Sequence, residues 1–285
     1  MSDRTDSARS NTGEYARLQT KRDSGHDRLN ELLLDSYTAL VVGFVLLPLV
    51  VISLMSFTPS EFLGFPPEGL SLRWYREFFD SRTWLGAMQN SLFIATGAAV
   101  GATSIGATAA FALDRYDYRF EMVLTGLSIL PILLPPVIIG VAFVTLFGLL
   151  GVGGQSWTLA VAHSIFFSPF PFVLVSQGLG DIDRSYEEAA ADLGAGRVTV
   201  IRHVTVPLLR ANLFAGALFA FILSLNEYII SWLISGFSFK TIPIQIFTSL
   251  RYTYSPVIAA VSFLFIVLTF VVMLLVDRFA GGMWQ

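Results

Sequence analysis

The sequence contains no cysteine, which excludes a disulfide framework and a thiolate metal site. Histidine is also scarce, because the 285 residues include only His26, His163 and His203, and these lie far apart. Such spacing offers no metal-ligand motif. The two lysines, Lys21 and Lys240, do not follow the glycine-rich run that holds nucleotide phosphates in an ATPase. Any ATP-derived energy must therefore come from a separate chain.

Patterns typical of a catalytic site are missing as well. Glu187 and Glu188 are adjacent, so on a helix their side chains point about 100° apart and do not form the carboxylate pair of a hydrolase. No spacing suggests a Ser, His and Asp arrangement, and no stretch is typical of nucleic-acid binding. We expect no catalytic residue, no bound metal and no cofactor in this chain.

Charged residues are few, and long apolar runs are many. The chain is 14% charged and 54% hydrophobic, with a mean hydropathy of +0.66, whereas charged residues make up about 25% of a soluble domain. This composition predicts a polytopic membrane protein. A bilayer crossing needs about 20 apolar residues, and six stretches are long enough: 36–57, 91–113, 122–150, 157–178, 211–235 and 256–276.

The predicted organisation is a polar tail, residues 1–35, then a six-span domain, residues 36–279, and a short C-terminal tail, residues 280–285. The first part of the N-terminal tail is expected to be disordered, because it has few large apolar residues. The first span is not a cleaved signal peptide, since a long charged tail precedes it. If the N-terminus is cytoplasmic, 13 of the 18 lysine and arginine residues lie on the cytoplasmic side of the membrane. This excess predicts that both termini are cytoplasmic.

The third predicted span, residues 122–150, carries the proline signal of a broken helix. Pro135 and Pro136 interrupt an apolar run and remove helix hydrogen bonds. Discontinuous helices of this kind flank many transporter substrate sites. An ordinary kink is the alternative. Between the first and second predicted spans, the pattern of residues 70–79 predicts an amphipathic element whose aromatic side chains suit the membrane interface.

The fifth predicted span contains Glu227, the one charged residue well inside a span. An acid there costs roughly 2.5 to 3.5 kcal/mol on insertion scales, so it is expected to face protein or water. At helical spacing it shares a small, polar stripe with Ala220, Ser224 and Ser231. This stripe is either a wall of a translocation pathway or a tight helix contact. We expect the pathway, with these residues: Ser224, Asn226, Glu227, Tyr228, Ser231, Pro135 and Pro136.

The segment 181–210 is the one long, charged internal loop with a helix signature. Ser185 with Glu188 three residues later predicts a capping box that begins a helix. Gly194 is expected to end it in the left-handed conformation. A second short element is predicted to start at Arg197 and to stop at Pro207.

This segment resembles the EAA loop of binding-protein-dependent ABC importer permeases. The match consists of Glu188-Ala189-Ala190, then Gly194, then a Val-Thr-Val-Pro run that ends at Pro207. The family usually has Ile and Leu where this run has Val204 and Val206. Further motifs, including the Pro135-Pro136 run and Asn226-Glu227-Tyr228, are similar to PotC-type permeases of spermidine/putrescine importers. The resemblance covers roughly residues 37–277.

The resemblance implies an all-α membrane protein with six transmembrane helices, a type I ABC importer-like permease with a cytoplasmic EAA coupling helix. It implies docking of that helix into the partner ATPase, which would bind the ATP and Mg. The other implied partners are a second, related permease subunit, an extracytoplasmic binding protein and membrane lipid, in a bacterial or archaeal cell (inner) membrane. The residues assigned to coupling are Glu187, Glu188, Ala189, Ala190, Gly194 and Pro207.

A cationic polyamine is the expected cargo, because the buried carboxylate of Glu227 suits a cation. Relatives of this type commonly have an acid where this chain has Asn226, which leaves one carboxylate instead of two. Amino-acid-like or other small solutes are the alternative cargo. A different class is a proton-coupled secondary transporter that uses Glu227 with His163, although such a protein has no reason to carry the docking helix.

Overall fold

The computed structural model describes the backbone of residues 4–116, 118–236, 238–252 and 255–280. Every regular element in these ranges is a helix, which confirms the predicted all-α class. The chain divides into two compact units, Met1–Leu54 and Met55–Gln285. The helices are α1 Arg4–Met55, α2 Arg73–Asp80, α3 Arg82–Arg115, α4 Glu121–Leu133, α5 Pro136–Leu149, α6 Ser156–Phe167, α7 Pro169–Asp181, α8 Ser185–Asp192, α9 Arg197–Val200, a π turn Ile201–Thr205, α10 Val206–Leu208, α11 Arg210–Asn226, α12 Ile229–Ser235, α13 Ile242–Tyr252 and α14 Val257–Ala280.

Helix α1 accounts for almost all of the first unit. Its part from Asn30 to Met55 is long and apolar enough to cross a membrane. The helical backbone begins at Arg4, so it includes most of the polar tail whose first part is expected to be disordered. No proline precedes Pro48 in the sequence, and therefore no residue forbids the helix from continuing back from the apolar part.

In the second unit, the spans are two long helices and three bent pairs of helices. The long helices are α3 and the part of α14 up to Leu275. The bent pairs are α4 with α5, at 98°, α6 with α7, at 44°, and the segment Arg197–Leu208 with α11, at 69°. Together with α1, these elements make six spans if each bent pair is one span. The break at Pro135 confirms the broken helix that the prolines predict.

Helix α3 lies at the centre of the second unit and packs against α6, α7 and α11. It contributes residues to all three apolar clusters of this unit. Ala95, Ala98 and Ala102 on α3 are completely buried. A side chain at Gly106 would place its Cβ 2.5 Å from the carbonyl oxygen of Ser168 at the junction of α6 and α7. Small residues therefore allow helix approach where lipid supplies no hydrophobic drive, as the sequence predicts.

Two segments between the predicted spans are helical. Helix α2 confirms the amphipathic element, but Trp74 and Phe78 are buried against α3 and α14 instead of lying at an interface. The indole nitrogen of Trp74 donates to the carbonyl oxygen of Thr58 at 2.8 Å, so burial leaves it satisfied. Residues 242–252, between the fifth and sixth predicted spans, form α13, where Ile242 and Ile244 are buried. Tertiary packing of a short apolar run gives this helix its stability.

Candidate functional site

Helix α8 begins at Ser185, directly after a short turn. The carboxylate of Asp183 accepts a hydrogen bond from the backbone N–H of Ser185 at 2.9 Å, and this bond lowers the pKa of Asp183. The predicted capping box is wrong, because Ser185 is already the first helical residue and its side chain makes no cap. Asp183 instead satisfies an N–H group at the helix start, where a negative charge is favourable.

Helix α8 ends in a Schellman motif. Gly194 has φ +87, its N–H donates to the carbonyl oxygen of Ala191 at 2.8 Å, and the N–H of Ala195 donates to that of Ala190 at 3.1 Å. Only glycine adopts this left-handed conformation readily, so the predicted reversal at Gly194 is confirmed. Gly196 does not contribute in this way, because its φ is −71.

One face of α8 is exposed and the other is held inside the protein. Glu188 and Ala189 are exposed, Ala190 is half-buried, and Leu193 at the end of the helix is 91% exposed. Glu187 is the single buried residue among the eight residues of α8. The exposed part of the helix therefore carries small residues and the carboxylates of Glu188 and Asp192, and the helix is anchored through the carboxylate of Glu187.

Glu187 is engaged within its own chain. Both carboxylate oxygens accept hydrogen bonds from the guanidinium of Arg115, the last residue of α3. The hydroxyl of Thr205 donates to Oε1 at 2.5 Å. The hydrogen bonds from Arg115 are the main cause of the lowered pKa of Glu187, although burial opposes them. Glu187, which the resemblance assigns to coupling, therefore forms an internal ion pair, and both of its carboxylate oxygens have donors within the chain.

Further charges surround this ion pair. Oδ2 of Asp114 lies 3.2 Å from Nε of Arg115, and Oδ1 lies 3.6 Å from the guanidinium of Arg184. Arg184 is mostly exposed, so its pairing contributes little to stability. Asp114 and Glu187 together give Arg115 two carboxylate neighbours.

The segment after α8 is a helix with a wide turn in its middle. In the π turn, the N–H of Val206 donates to the carbonyl oxygen of Ile201, five residues back. Pro207 has no N–H, and it is tolerated near the start of α10. The helical segment stops at Leu208, one residue after the predicted stop at Pro207. Pro207 itself is exposed.

An open cavity of about 1280 Å³ lies between α8, the helical segment after it, α3 and α11. Small and apolar side chains of α3 line one wall, and the ion pair lines the mouth. The lining includes Ala99, Thr103, Ala107, Arg115, Glu187 and Ala217. None of the residues predicted to form the substrate pathway lines this cavity.

Glu227 lies at a break between α11 and α12, and not inside one helix. Its own backbone is extended, with φ −74 and ψ 128. Its carboxylate accepts from the N–H groups of Ile230 and Ser231, at 2.7 and 2.8 Å, at the start of α12. The sequence-based stripe through Ser224, Glu227 and Ser231 therefore does not run along a continuous helix. No proline or glycine marks this break, and the carboxylate stabilises it by capping the second helix.

His163 of α6 joins the same buried cluster. Its Nδ1 lies 2.7 Å from the hydroxyl of Ser224, and its Nε2 lies 3.3 Å from Oε2 of Glu227. The ring is completely buried, and it meets Phe167 edge-on. The structure thus brings together Ser224, Glu227 and Ser231 with His163, and it buries all four in helix packing.

The other predicted pathway residues are more accessible. Asn226 and Pro135 are exposed, and Pro136 is half-buried. Tyr228 is half-buried, with its ring 4.8 Å from that of Phe247. Arg115, Thr205 and Asp183 are the residues that the sequence analysis missed. A basic residue at the end of an apolar span was the available signal for Arg115, but nothing local connects it to Glu187, 72 positions away.

Comparison with known proteins gives a consistent result. Residues 102–285 match the family described as "Binding-protein-dependent transport system inner membrane component". The chain is similar to the spermidine/putrescine transport system permease protein PotC of Haemophilus influenzae, with 30% identity over 85% of this chain and 94% of that protein. It is also similar to the putrescine transport system permease protein PotI of Escherichia coli, with 33% identity over 78% and 82% of the two chains.

The chain is also similar in fold to a solved structure. A chain in the crystal structure of a bacterial ABC transporter for the acidic polysaccharide alginate matches with a TM-score of 0.71 at 18% identity. The match covers 89% of this chain and 97% of that one.

Proposed function

The chain belongs to the family of binding-protein-dependent transport system inner membrane components, and from this premise we propose that it forms one half of the translocation pathway of an ATP-driven importer. In this proposal a separate ATPase dimer binds ATP and Mg, and this chain holds no cofactor or metal and catalyses no reaction. A related second permease completes the pathway, and an extracytoplasmic binding protein delivers the cargo.

The observation that carries the proposal is the geometry of α8. The helix presents Glu188, Ala189 and Leu193 to solvent, and the Schellman motif at Gly194 turns the chain back sharply. A short helix with small exposed residues fits closely into a cleft of a partner. We propose that α8 docks on the ATPase, with Glu188 as the carboxylate that meets a basic partner residue and Ala189 and Ala190 at the contact. Pro207 lies on the returning segment.

The distribution of basic residues supports an orientation in which α8 faces the ATPase. With both termini cytoplasmic, 13 of 18 lysine and arginine residues lie on the cytoplasmic side, including those of the segment 181–210. We propose this orientation, with the chain in the inner membrane of a bacterial or archaeal cell.

For the cargo we propose an aliphatic polyamine such as putrescine or spermidine. The support comes from the named relatives, which are permeases for these compounds. In this chain the break between α11 and α12 supplies the polar groups of Asn226 and Tyr228, and the broken pair α4 and α5 supplies Pro135 and Pro136. Ser224, Glu227 and Ser231 contribute by holding the break in shape.

One observation favours a second class, a proton-coupled transporter. The His163 and Glu227 side chains form a buried pair of titratable groups at 3.3 Å. Against proton coupling, the same carboxylate caps α12 through two backbone N–H groups, so its protonation would weaken both bonds. A capping carboxylate is better explained as a structural element than as a proton carrier.

The test is purification followed by reconstitution. The tagged chain is extracted in mild detergent with a nonhydrolysable ATP analogue, and co-purifying chains are identified by mass spectrometry. We expect a Walker-motif ATPase and a second six-span permease. The complex is then placed in vesicles with its binding protein, and uptake of labelled putrescine is measured with ATP and with a protonophore.

ATP-dependent putrescine uptake that survives the protonophore supports the proposal. Uptake that persists without ATP and collapses with the protonophore would establish the proton-coupled class. ATP-driven uptake of an amino acid, unaffected by excess putrescine and spermidine, would reject the polyamine cargo and keep the importer.

A further inference from the structure

We propose that Arg115 ties α8 to α3, so that the docking helix and the central membrane helix move as one body during transport. We call the contact of Arg115, Glu187 and Thr205 the α3–α8 tie. The inference rests on the proposed function, because it takes the ATPase as the source of the movement. It assigns a positioning role to Arg115 and Thr205, which the motif of α8 does not include.

The ion pair of Arg115 and Glu187 has a two-pronged geometry. Arg115 donates through both terminal nitrogens to the two oxygens of Glu187. A two-pronged contact of this kind fixes the orientation of the carboxylate as well as its distance, which a lysine ammonium does not do. The side chains are 28% and 10% exposed, so solvent screens the pair only weakly.

Thr205 is the second residue that holds the carboxylate of Glu187. Thr205 is completely buried, and its hydroxyl donates to the same carboxylate from the segment that leads into α11. Glu187 is therefore held from α3 and from the returning chain at once. Sliding α8 along α3 would strip the two hydrogen bonds of Arg115 from a buried carboxylate, which is costly.

Helix α8 has little buried surface besides Glu187. Glu187 is its one buried residue, whereas Tyr186, Glu188 and Ala189 on either side are exposed. The cavity of about 1280 Å³ lies between α8 and α3, so packed apolar side chains do not bridge this space. The position of α8 relative to α3 thus depends on the tie.

Because α3 packs against α6, α7 and α11, a body that contains α3 includes most of the second unit. A push on α8 is transmitted to α3 through a contact that resists both translation and rotation. The tie is therefore a mechanical connection between the ATPase-facing surface and the membrane helices.

This chain has no cysteine, so two introduced cysteines are its only sites for spin labels. Exposed Ser104 on α3 and exposed Tyr186 on α8, which lies outside the proposed contact with the ATPase, are changed to cysteine and labelled. The distance between the labels is measured by pulsed electron paramagnetic resonance in the complete reconstituted importer, without nucleotide and with a nonhydrolysable ATP analogue. We expect the same distance distribution in both states.

Glu187→Gln removes the charge of the tie and keeps nearly the same shape. We expect its label distance to broaden and to change with nucleotide, and the cargo transported per ATP hydrolysed to fall about tenfold, within the usual range of coupling between sites. Thr205→Val removes one donor with little change in volume, and we expect an intermediate effect. The control is Glu61→Gln, which removes an exposed ion pair with Arg73 at 3.1 Å and leaves the ratio of transport to hydrolysis unchanged.

A Ser104 to Tyr186 distance that changes with nucleotide in the labelled, active importer with an intact tie would overturn the proposal. So would a normal ratio of cargo to ATP in both Glu187→Gln and Thr205→Val. These results differ from a failure of the proposed function, in which the wild-type complex shows no ATP-driven uptake at all.

Discussion

Nε2 of His163 lies 3.3 Å from Oε2 of Glu227. A side chain of α6 therefore meets the carboxylate that caps α12. The same carboxylate accepts from the N–H groups of Ile230 and Ser231. One buried group therefore satisfies the start of α12 and orients a buried imidazole.

Glu227→Ala is expected to lower the free energy of unfolding by about 1–3 kcal/mol, because two backbone N–H groups and His163 lose their acceptor in a buried site. Glu227→Gln keeps one acceptor and should cost less. Thermal unfolding of the purified protein in detergent measures both. Asn226→Ala is the matched control, since Asn226 is exposed and adjacent. Wild-type stability of Glu227→Ala would show that the cap contributes nothing.

Gly194 and Gly196 provide a matched pair for the turn after α8. Neither glycine has an atom of another residue close to the position of an added Cβ, but Gly194 has φ +87 and Gly196 has φ −71. Gly194→Val should abolish ATP-driven uptake while the protein remains in the membrane, because an L side chain there costs about 1–2 kcal/mol and displaces α8. Gly196→Val should retain most of the uptake. Equal uptake by the two variants would contradict the role of the turn.

Glu188 and Glu187 are neighbours with different surroundings, so the same substitution should act differently. Glu188→Lys lies on the exposed face, and we expect a stability within about 0.5 kcal/mol of wild type but loss of the co-purifying ATPase. Glu187→Lys places a second cation against Arg115 and should destabilise the protein by about 3–5 kcal/mol. Unfolding curves and the yield of ATPase per purified chain separate the two effects. Full recovery of the ATPase with Glu188→Lys would refute the docking assignment.

The pKa of Glu187 is lowered in the folded protein, mainly by its hydrogen bonds with Arg115. The ion pair therefore contributes stability above the pKa of the unfolded carboxyl, about 4.3, and this contribution is lost as the pH falls through the lower folded pKa. The difference in melting temperature between wild type and Glu187→Gln should be largest at neutral pH and should shrink on acidification below about pH 4. The other carboxylates are common to both proteins and cancel in this difference. A difference that is constant with pH would contradict the ion pair.

Gly106 tests the close packing of α3 against α7. A Cβ there would lie 2.5 Å from the carbonyl oxygen of Ser168 and 2.6 Å from the backbone nitrogen of Phe172, so the backbone must move. Gly106→Ala should destabilise by about 1–3 kcal/mol. Gly126→Ala on α4 meets no atom within 4 Å and should be neutral or stabilising. Denaturant or thermal unfolding in detergent distinguishes them, and equal stabilities would argue against tight packing at Gly106.

Local chemistry explains which features the sequence could predict. Pro135 and Pro136 lack the N–H that a helix needs, and Gly194 permits a positive φ, so the break and the reversal are visible in the sequence. The bend at Asn226 to Tyr228 has no such residue. It is stabilised by the carboxylate of Glu227 reaching α12, which only the folded chain shows.

Contacts between residues that are far apart along the chain could not be predicted from the sequence. Ser185 and Glu188 have the spacing of a capping box, yet Asp183 makes the cap because the helix begins at Ser185, one residue earlier than that pattern requires. Glu187 and Glu188 carry the same charge, and their different roles depend on Arg115, which arrives from the end of α3. Burial of one of two neighbouring acids is a property of the tertiary fold.

The π turn at Ile201–Thr205 has a consequence for comparing this chain with its relatives. The bond from Val206 to Ile201 spans one residue more than an α-helical bond. Since each residue turns an α-helix by about 100°, removing one residue before Thr205 in this turn would rotate Thr205 and Pro207 relative to α9 by that angle. Relatives without the extra residue would need another donor for the carboxylate at position 187.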